Sequence, residues 1–204
     1  MSESNRPNWY LIIGIGALVT AAGLLLRPVM RRGVSNVVTT RLQKRQRVDA
    51  QRHLAAAHSE YERWLALTQL SLAEVDSVPA SIVRSHANEV LATAPKFSKD
   101  WNYGNAIHKG NLALGRLALR EGKIDQAGQF LLMAGRTPGS PQLNSFGPNM
   151  LLAKELLEKG EREKVLVYFE LCAKFWQSGS VQLKLWSTQV KLGSDPDFGA
   201  NLLV

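Results

Sequence analysis

Four histidines, one cysteine and a few close carboxylates are the residues of this 204-residue chain whose types could do chemistry. His53, His58, His86 and His108 would have to converge to hold a metal. His53 and His58 are five positions apart, so a helix turns them to different faces. His108, beside Lys109 and near Trp101 and Tyr103, is the histidine whose neighbours best suit a binding role. Cys172 stands alone, which excludes an intrachain disulfide and a cysteine-based zinc site. It reads as a small core residue and suits a reducing compartment. Asp197-Phe198-Gly199 matches the magnesium triplet of protein kinases, but no Gly-rich loop, strand lysine or His-Arg-Asp motif accompanies it. Neither a Gly-x-Ser-x-Gly elbow nor a phosphate loop is present. Glu155 with Glu158, and Glu161 with Glu163, fit a solvated helix–turn surface. The sequence predicts no catalytic residue, no metal site and no cofactor, so the chain reads as a binding or structural protein rather than an enzyme.

The most distinctive polar segment runs from Gly139 to Asn149, GSPQLNSFGPN. It is uncharged and rich in Pro, Gly, Ser and Asn, and it could present Gln142, Asn144 and Ser145 to a ligand or peptide. The alternative is a rigid connection with Phe146 plugging the core.

Two kinds of element must position these residues. The first is apolar. Trp9 to Leu26 carries no charge and is bounded by Arg6 and Arg27. As a helix it would span roughly 27 Å, enough for the hydrocarbon core of a membrane. Residues 1–8 then form a short tail, and 9–26 a transmembrane helix anchored by Trp9 and Tyr10. Gly16, Thr20 and Gly23 fall at helical spacing and could let two spans pack as a homo-oligomer.

A basic connector, 27–52, follows. It holds Arg27, Arg31, Arg32, Arg41, Lys44, Arg45, Arg47 and Arg52 against Asp49 alone. From His53 onward, 16 basic residues face 15 acidic ones, so nearly all of the +8 net charge sits in this connector. That placement argues against a nucleic-acid surface on the folded part, and the connector lacks the interleaved aromatics that stack bases. Cytoplasmic flanks carry the Lys/Arg excess. The expectation is a single-pass protein of an inner or plasma membrane, with its N-terminus outside and its C-terminal domain in the cytoplasm. Arg27, Arg31, Arg32, Arg41, Lys44, Arg45 and Arg47 would then face anionic lipid headgroups.

The second kind is helical and fills 53–204. Leu54, Ala57, Tyr61, Trp64, Leu65 and Thr68 recur at helical steps, predicting one helix from about Arg41 to Asp76. Ser77 is the expected N-cap of the next helix, which stops before Pro95. No stretch alternates as a strand would, so the fold class is all-α. Two pairs then repeat. Asn105–Gly122 and Lys123–Pro138 form one, Asn149–Gly160 and Glu161–Trp176 the other, with Gly122 and Gly160 in register. Leu114 aligns with Leu152, Gly115 with Ala153, Ala127 with Val165, Leu131 with Phe169 and Ala134 with Cys172. This pattern resembles the tetratricopeptide repeat, whose small residues let paired helices approach closely. Gly115, Ala127 and Ala134 take those places here, with Pro138 near the closing turn. Asn111 and Ala118 stand where the family has an early Trp and a Tyr. Val181 to Leu192 reads as a capping helix that ends at Gly193. The phrases GSPQLNSFGPN and PDFGANL also resemble a group of uncharacterised bacterial membrane-anchored proteins, a likeness that implies no activity.

The resemblance implies an antiparallel helical-hairpin array whose first helices offer a partner surface. Asn105, His108, Asn111, Arg116 and Asn149 are the expected contacts for a protein or peptide. The functional expectation is a membrane-anchored scaffold or adaptor. The alternative is a lipid-surface or membrane-organising protein that acts through the basic connector.

Overall fold

The computed structural model describes residues 44–203, which belong to one compact unit built of helices and their connections, with no strand among them. The segment 9–26, the basic residues Arg27, Arg31, Arg32 and Arg41, and the small-residue pattern at Gly16, Thr20 and Gly23 lie outside the described residues. No helix among the described residues is long and apolar enough to cross a membrane.

The single helix expected from Arg41 to Asp76 is two helices. The chain is helical over 44–55 (α1), breaks at 56–59, and resumes as α2, Glu60–Ala73. The break is a capping box. The Ser59 hydroxyl accepts from the Glu62 N–H, and the Glu62 carboxylate accepts from the Ser59 N–H. The signal Ser-x-x-Glu is in the sequence, and the continuous apolar periodicity on either side hides it. Helix α3, Ala80–Thr93, has Pro79 as its N-cap, not Ser77, whose hydroxyl instead accepts from Arg47 on α1. A 3-10 turn, Ala94–Phe97, carries Pro95.

The long helix α4, Tyr103–Arg120, forms the spine. It packs against α2, α3 and the following helix α5, Ile124–Gly135. Gly115 leaves room for two neighbours. A Cβ there would press into Leu152 Cδ2 and would lie 3.1 Å from Phe130 Cβ and 3.4 Å from the Ala127 carbonyl oxygen. A short helix α6, Pro141–Phe146, then leads to α7, Leu151–Leu157, and α8, Arg162–Cys172. Helix α8 packs on α5 and on α9, Ser180–Lys191. The α4–α5 and α7–α8 hairpins each turn at a glycine of positive φ, Gly122 at 75° and Gly160 at 85°.

The apolar stripes meet in one core running from Leu72 and Val83 through Leu112, Leu131 and Leu152 to Trp186 and Phe198. At the C-terminal end, Phe169, Trp176, Trp186 and Phe198 pack ring on ring, with centroids 5.0–6.1 Å apart. At the N-terminal end, Trp64 lies 4.9 Å from Phe97 and donates its indole N–H to the Val90 carbonyl.

Candidate functional site

The polar residues expected on the outer face of the first repeat helix point inward. Asn105, His108, Asn111 and Arg116 are all buried. Their spacing puts them on α4 faces that other helices cover. Asn105 donates to the Asn102 side-chain oxygen at 2.9 Å and accepts from Ser140 Oγ at 2.7 Å. Asn111 donates to the Ile107 carbonyl, and its own side-chain oxygen is buried without a partner. Arg116 bridges Glu155 of α7, at 3.0 Å from Nε, and Asp76 of the α2–α3 loop, at 3.0 Å from Nη1. A partner cannot reach these groups without opening the helix stack.

His108 is held in one tautomer. Its Nε2 accepts the Asn149 N–H at 3.1 Å, so Nδ1 carries the proton and donates it to the Ala134 carbonyl at 3.2 Å. Tyr168 stacks on its ring at 6.5 Å, and Phe175 packs edge-on at 6.5 Å. Burial pushes its pKa down to about 4, with the Ala134 hydrogen bond opposing and the charge of Lys109 adding to the fall. Lys109, bonded to Gln69 Oε1 at 3.0 Å, is lowered by burial to about 8. His108 is thus a neutral cross-brace between α5 and the loop before α7.

The distinctive loop is part of the same construction. Gln142 accepts from Asn105. Asn149 donates from its side chain to the Leu203 carbonyl at 2.8 Å, and its own carbonyl accepts from the Tyr168 hydroxyl at 2.9 Å. Asn201 donates to the carbonyls of Phe146 and Pro148, and its carbonyl accepts the Met150 N–H at 2.7 Å. The two sequence phrases GSPQLNSFGPN and PDFGANL therefore clasp one another. Phe146 does not plug the core: it is 52% exposed, and Leu143 is buried in its place. Of the loop's expected contacts, only Asn144 and Ser145 remain at the surface. Asn144 edges a polar cleft of about 290 Å³ lined also by Pro138, Lys174, Phe175, Gln177 and Ser178.

A different place brings a buried titratable group to an open apolar wall. Between α1 and the α2–α3 hairpin lies a groove of about 330 Å³. Gln51, Leu54 and Ala55 come from α1, Leu70 and Glu74 from the end of α2, and Val78, Ile82 and His86 from the start of α3 and the loop before it. Glu74, the residue that ends α2, is 1% exposed, and its N–H returns to the Leu70 carbonyl at 3.0 Å. His86 Nδ1 lies 2.6 Å from its Oε1. Burial raises the Glu74 pKa, with His86 and the Arg47 charge opposing. A carboxyl and an imidazole in hydrogen-bond contact can hold and share a proton, and the aliphatic wall beside them can seat an apolar side chain.

Neither Glu74 nor His86 stands out in the sequence as part of a site. His86 reads as one of four unconnected histidines, and Glu74 as part of a helix running on to Asp76. The helix end at Ala73 brings them together. Among the described residues no three His, Cys, Asp or Glu side chains gather as a metal site would require. Compared with known proteins, the chain matches no family model, no curated protein and no solved structure.

Proposed function

We propose that the chain is a membrane-anchored helical-repeat adaptor of the tetratricopeptide type, which binds a protein or peptide partner at the cytoplasmic membrane face. The 9–26 segment is the anchor and the connector 27–52 the topology signal. The observation that carries the reading is the groove between α1 and the α2–α3 hairpin. It combines an aliphatic wall with the partly exposed imidazole of His86, which the buried Glu74 carboxyl holds in place, the composition that seats the apolar face of a peptide and fixes its register with a single polar contact. It opens beside α1, the helix in which the basic connector ends. The close packing of Gly115 against Phe130 of α5 and Leu152 of α7 supports the repeat reading.

This reading moves the partner surface away from Asn105, His108, Asn111 and Arg116. The test places a photo-crosslinking residue at Ile82 of the full chain in its native membranes, with the same residue at Gln129 as control. One discrete adduct is expected from Ile82, absent from Gln129, and lost when Gln51→Trp fills the groove mouth. Equal adducts at both positions, or none at Ile82, would overturn the assignment. A reporter fused after Val204 that works only outside the cytoplasm would reverse the orientation.

A further inference from the structure

Helix α9 is apolar on two opposite faces. Leu183, Trp186 and Val190 are buried against the core. Val181, Leu185 and Leu192 point the other way and are 69%, 55% and 78% exposed. With Thr188 they follow steps of four, three and four, which is one line on a helix, about 16 Å long. A surface helix normally turns polar residues outward, and a terminal cap of stacked hairpins needs a polar outer face. This one keeps a ridge of aliphatic side chains standing in water.

The charges beside the ridge indicate what meets it. Lys184 and Lys191 flank it on one side, both exposed, and α9 contains no Asp or Glu. A second copy packed antiparallel on this face would bring the same lysines together, a like-charge pairing that disfavours it. The side chains protrude as a single ridge, which suits a fluid surface that closes around each one. Aliphatic residues beside uncompensated lysines match the acyl boundary and headgroups of an anionic bilayer.

We infer that the outer face of α9 is a lipid-contact surface, with Val181, Leu185 and Leu192 entering the headgroup–acyl boundary and Lys184 and Lys191 meeting anionic headgroups. It shares no residue with the basic connector or with the partner groove.

The test uses the full chain in vesicles of phosphatidylcholine alone or with one quarter phosphatidylglycerol. An environment-sensitive fluorophore is attached through Thr188→Cys or, as control, Gln129→Cys; Cys172 is buried and stays in place. Spin-labelled lipid quenches a fluorophore that touches the bilayer. The Thr188 position is expected to be quenched in anionic vesicles and the Gln129 position not. Lys184→Gln with Lys191→Gln shifts the bound–unbound balance about thirty-fold. Val181→Ser with Leu185→Ser removes the quenching while the helical circular dichroism stays unchanged.

Quenching at Thr188 no greater than at Gln129 would overturn the inference. So would shielding that grows with protein density in neutral vesicles, which would mark a second copy, or shielding only when another protein is added. Alkaline carbonate extraction of the same sample reads the anchor on its own. A chain that is extracted yet quenched before extraction sinks the membrane-span reading and keeps this one. A chain that resists extraction with Thr188 unquenched does the reverse.

Discussion

Two ends of the helix stack bring polar groups together, and they do so with opposite results. At the C-terminal clasp, His108, Asn149, Asn201 and Tyr168 converge on three loop carbonyls and two backbone N–H groups, and each finds its partner within the chain. At the N-terminal groove, Glu74 and His86 satisfy one another beside open volume. Convergence of polar side chains is therefore no mark of a site. Recessed polarity next to unfilled apolar space is a better one, because a ligand can enter there without breaking hydrogen bonds already made.

The sharpest break of this comparison is steric. Gly147, in the clasp, has φ +84°, and a Cβ there would press into the Trp176 ring and lie 2.8 Å from Asn201 Nδ2. Gly122, in the α4–α5 turn, has φ +75° and nothing within 4 Å. Gly147→Ala is expected to cost about 3 kcal/mol or more, combining left-handed strain with overpacking. Gly122→Ala carries the strain alone, about 1 kcal/mol. Urea denaturation of both variants measures the difference. Equal losses would mean that the clasp gives way easily and that its close packing adds little.

Much of the stack was legible in the residues and the clasp was not, for a physical reason. Helical periodicity depends on neighbours three and four positions apart, so α4, α5, α8 and α9 and the glycine turns between them follow from local pattern. The resemblance between repeats pairs Gly115 with Ala153, and the structure packs Gly115 against the side chains of Leu152 on α7 and Phe130 on α5, as close helix packing demands. The clasp joins residues more than fifty positions apart, such as Asn201 with Phe146 and Asn149 with Leu203, and no local rule links them. For the same reason the polar residues of α4 read as a surface: from the sequence nothing says that α7 will bring Glu155 to Arg116. The groove depends on where α1 stops, and the Ser59–Glu62 capping box that stops it lies inside an apolar pattern continuous enough to suggest one helix.

Acid should separate the two ends, because their titrations have opposite signs. His108 is neutral when folded down to about pH 4, whereas in the unfolded chain it takes up a proton near its ordinary value of 6.5. Its contribution is therefore fully present above about pH 6.5 and is lost as pH falls toward 4, by roughly 3 kcal/mol in all. Glu74 is raised by burial, so the folded chain takes up its proton first, and falling pH stabilises that end. Urea midpoints between pH 7 and 4 should fall for the parent chain. The fall should be shallower in His108→Gln and steeper in Glu74→Gln. A His108→Gln profile as steep as the parent's would mean that the clasp histidine does not control acid stability.

The smallest expected effect on stability tests the groove most directly. Ile82 and Val83 are adjacent on α3, yet Ile82 is 42% exposed at the groove and Val83 is fully buried in the core. Val83→Ala should cost about 2 kcal/mol through lost burial and the cavity left behind. Ile82→Asp removes no core contact and should stay within about 0.5 kcal/mol of the parent. It puts a charge on the wall that a partner's apolar side chain would occupy, beside a carboxyl already shielded from water, and burying that charge in a complex is costly. With the crosslinker moved to Gln51, Ile82→Asp should remove the partner adduct and leave the urea midpoint in place. If the midpoint falls as far as in Val83→Ala, the groove wall belongs to the core and not to a binding surface. If the midpoint holds and the adduct persists, the partner binds elsewhere. The exposed positions Asn144 and Ser145, beside the polar cleft at the clasp, would then be the next to carry the crosslinker.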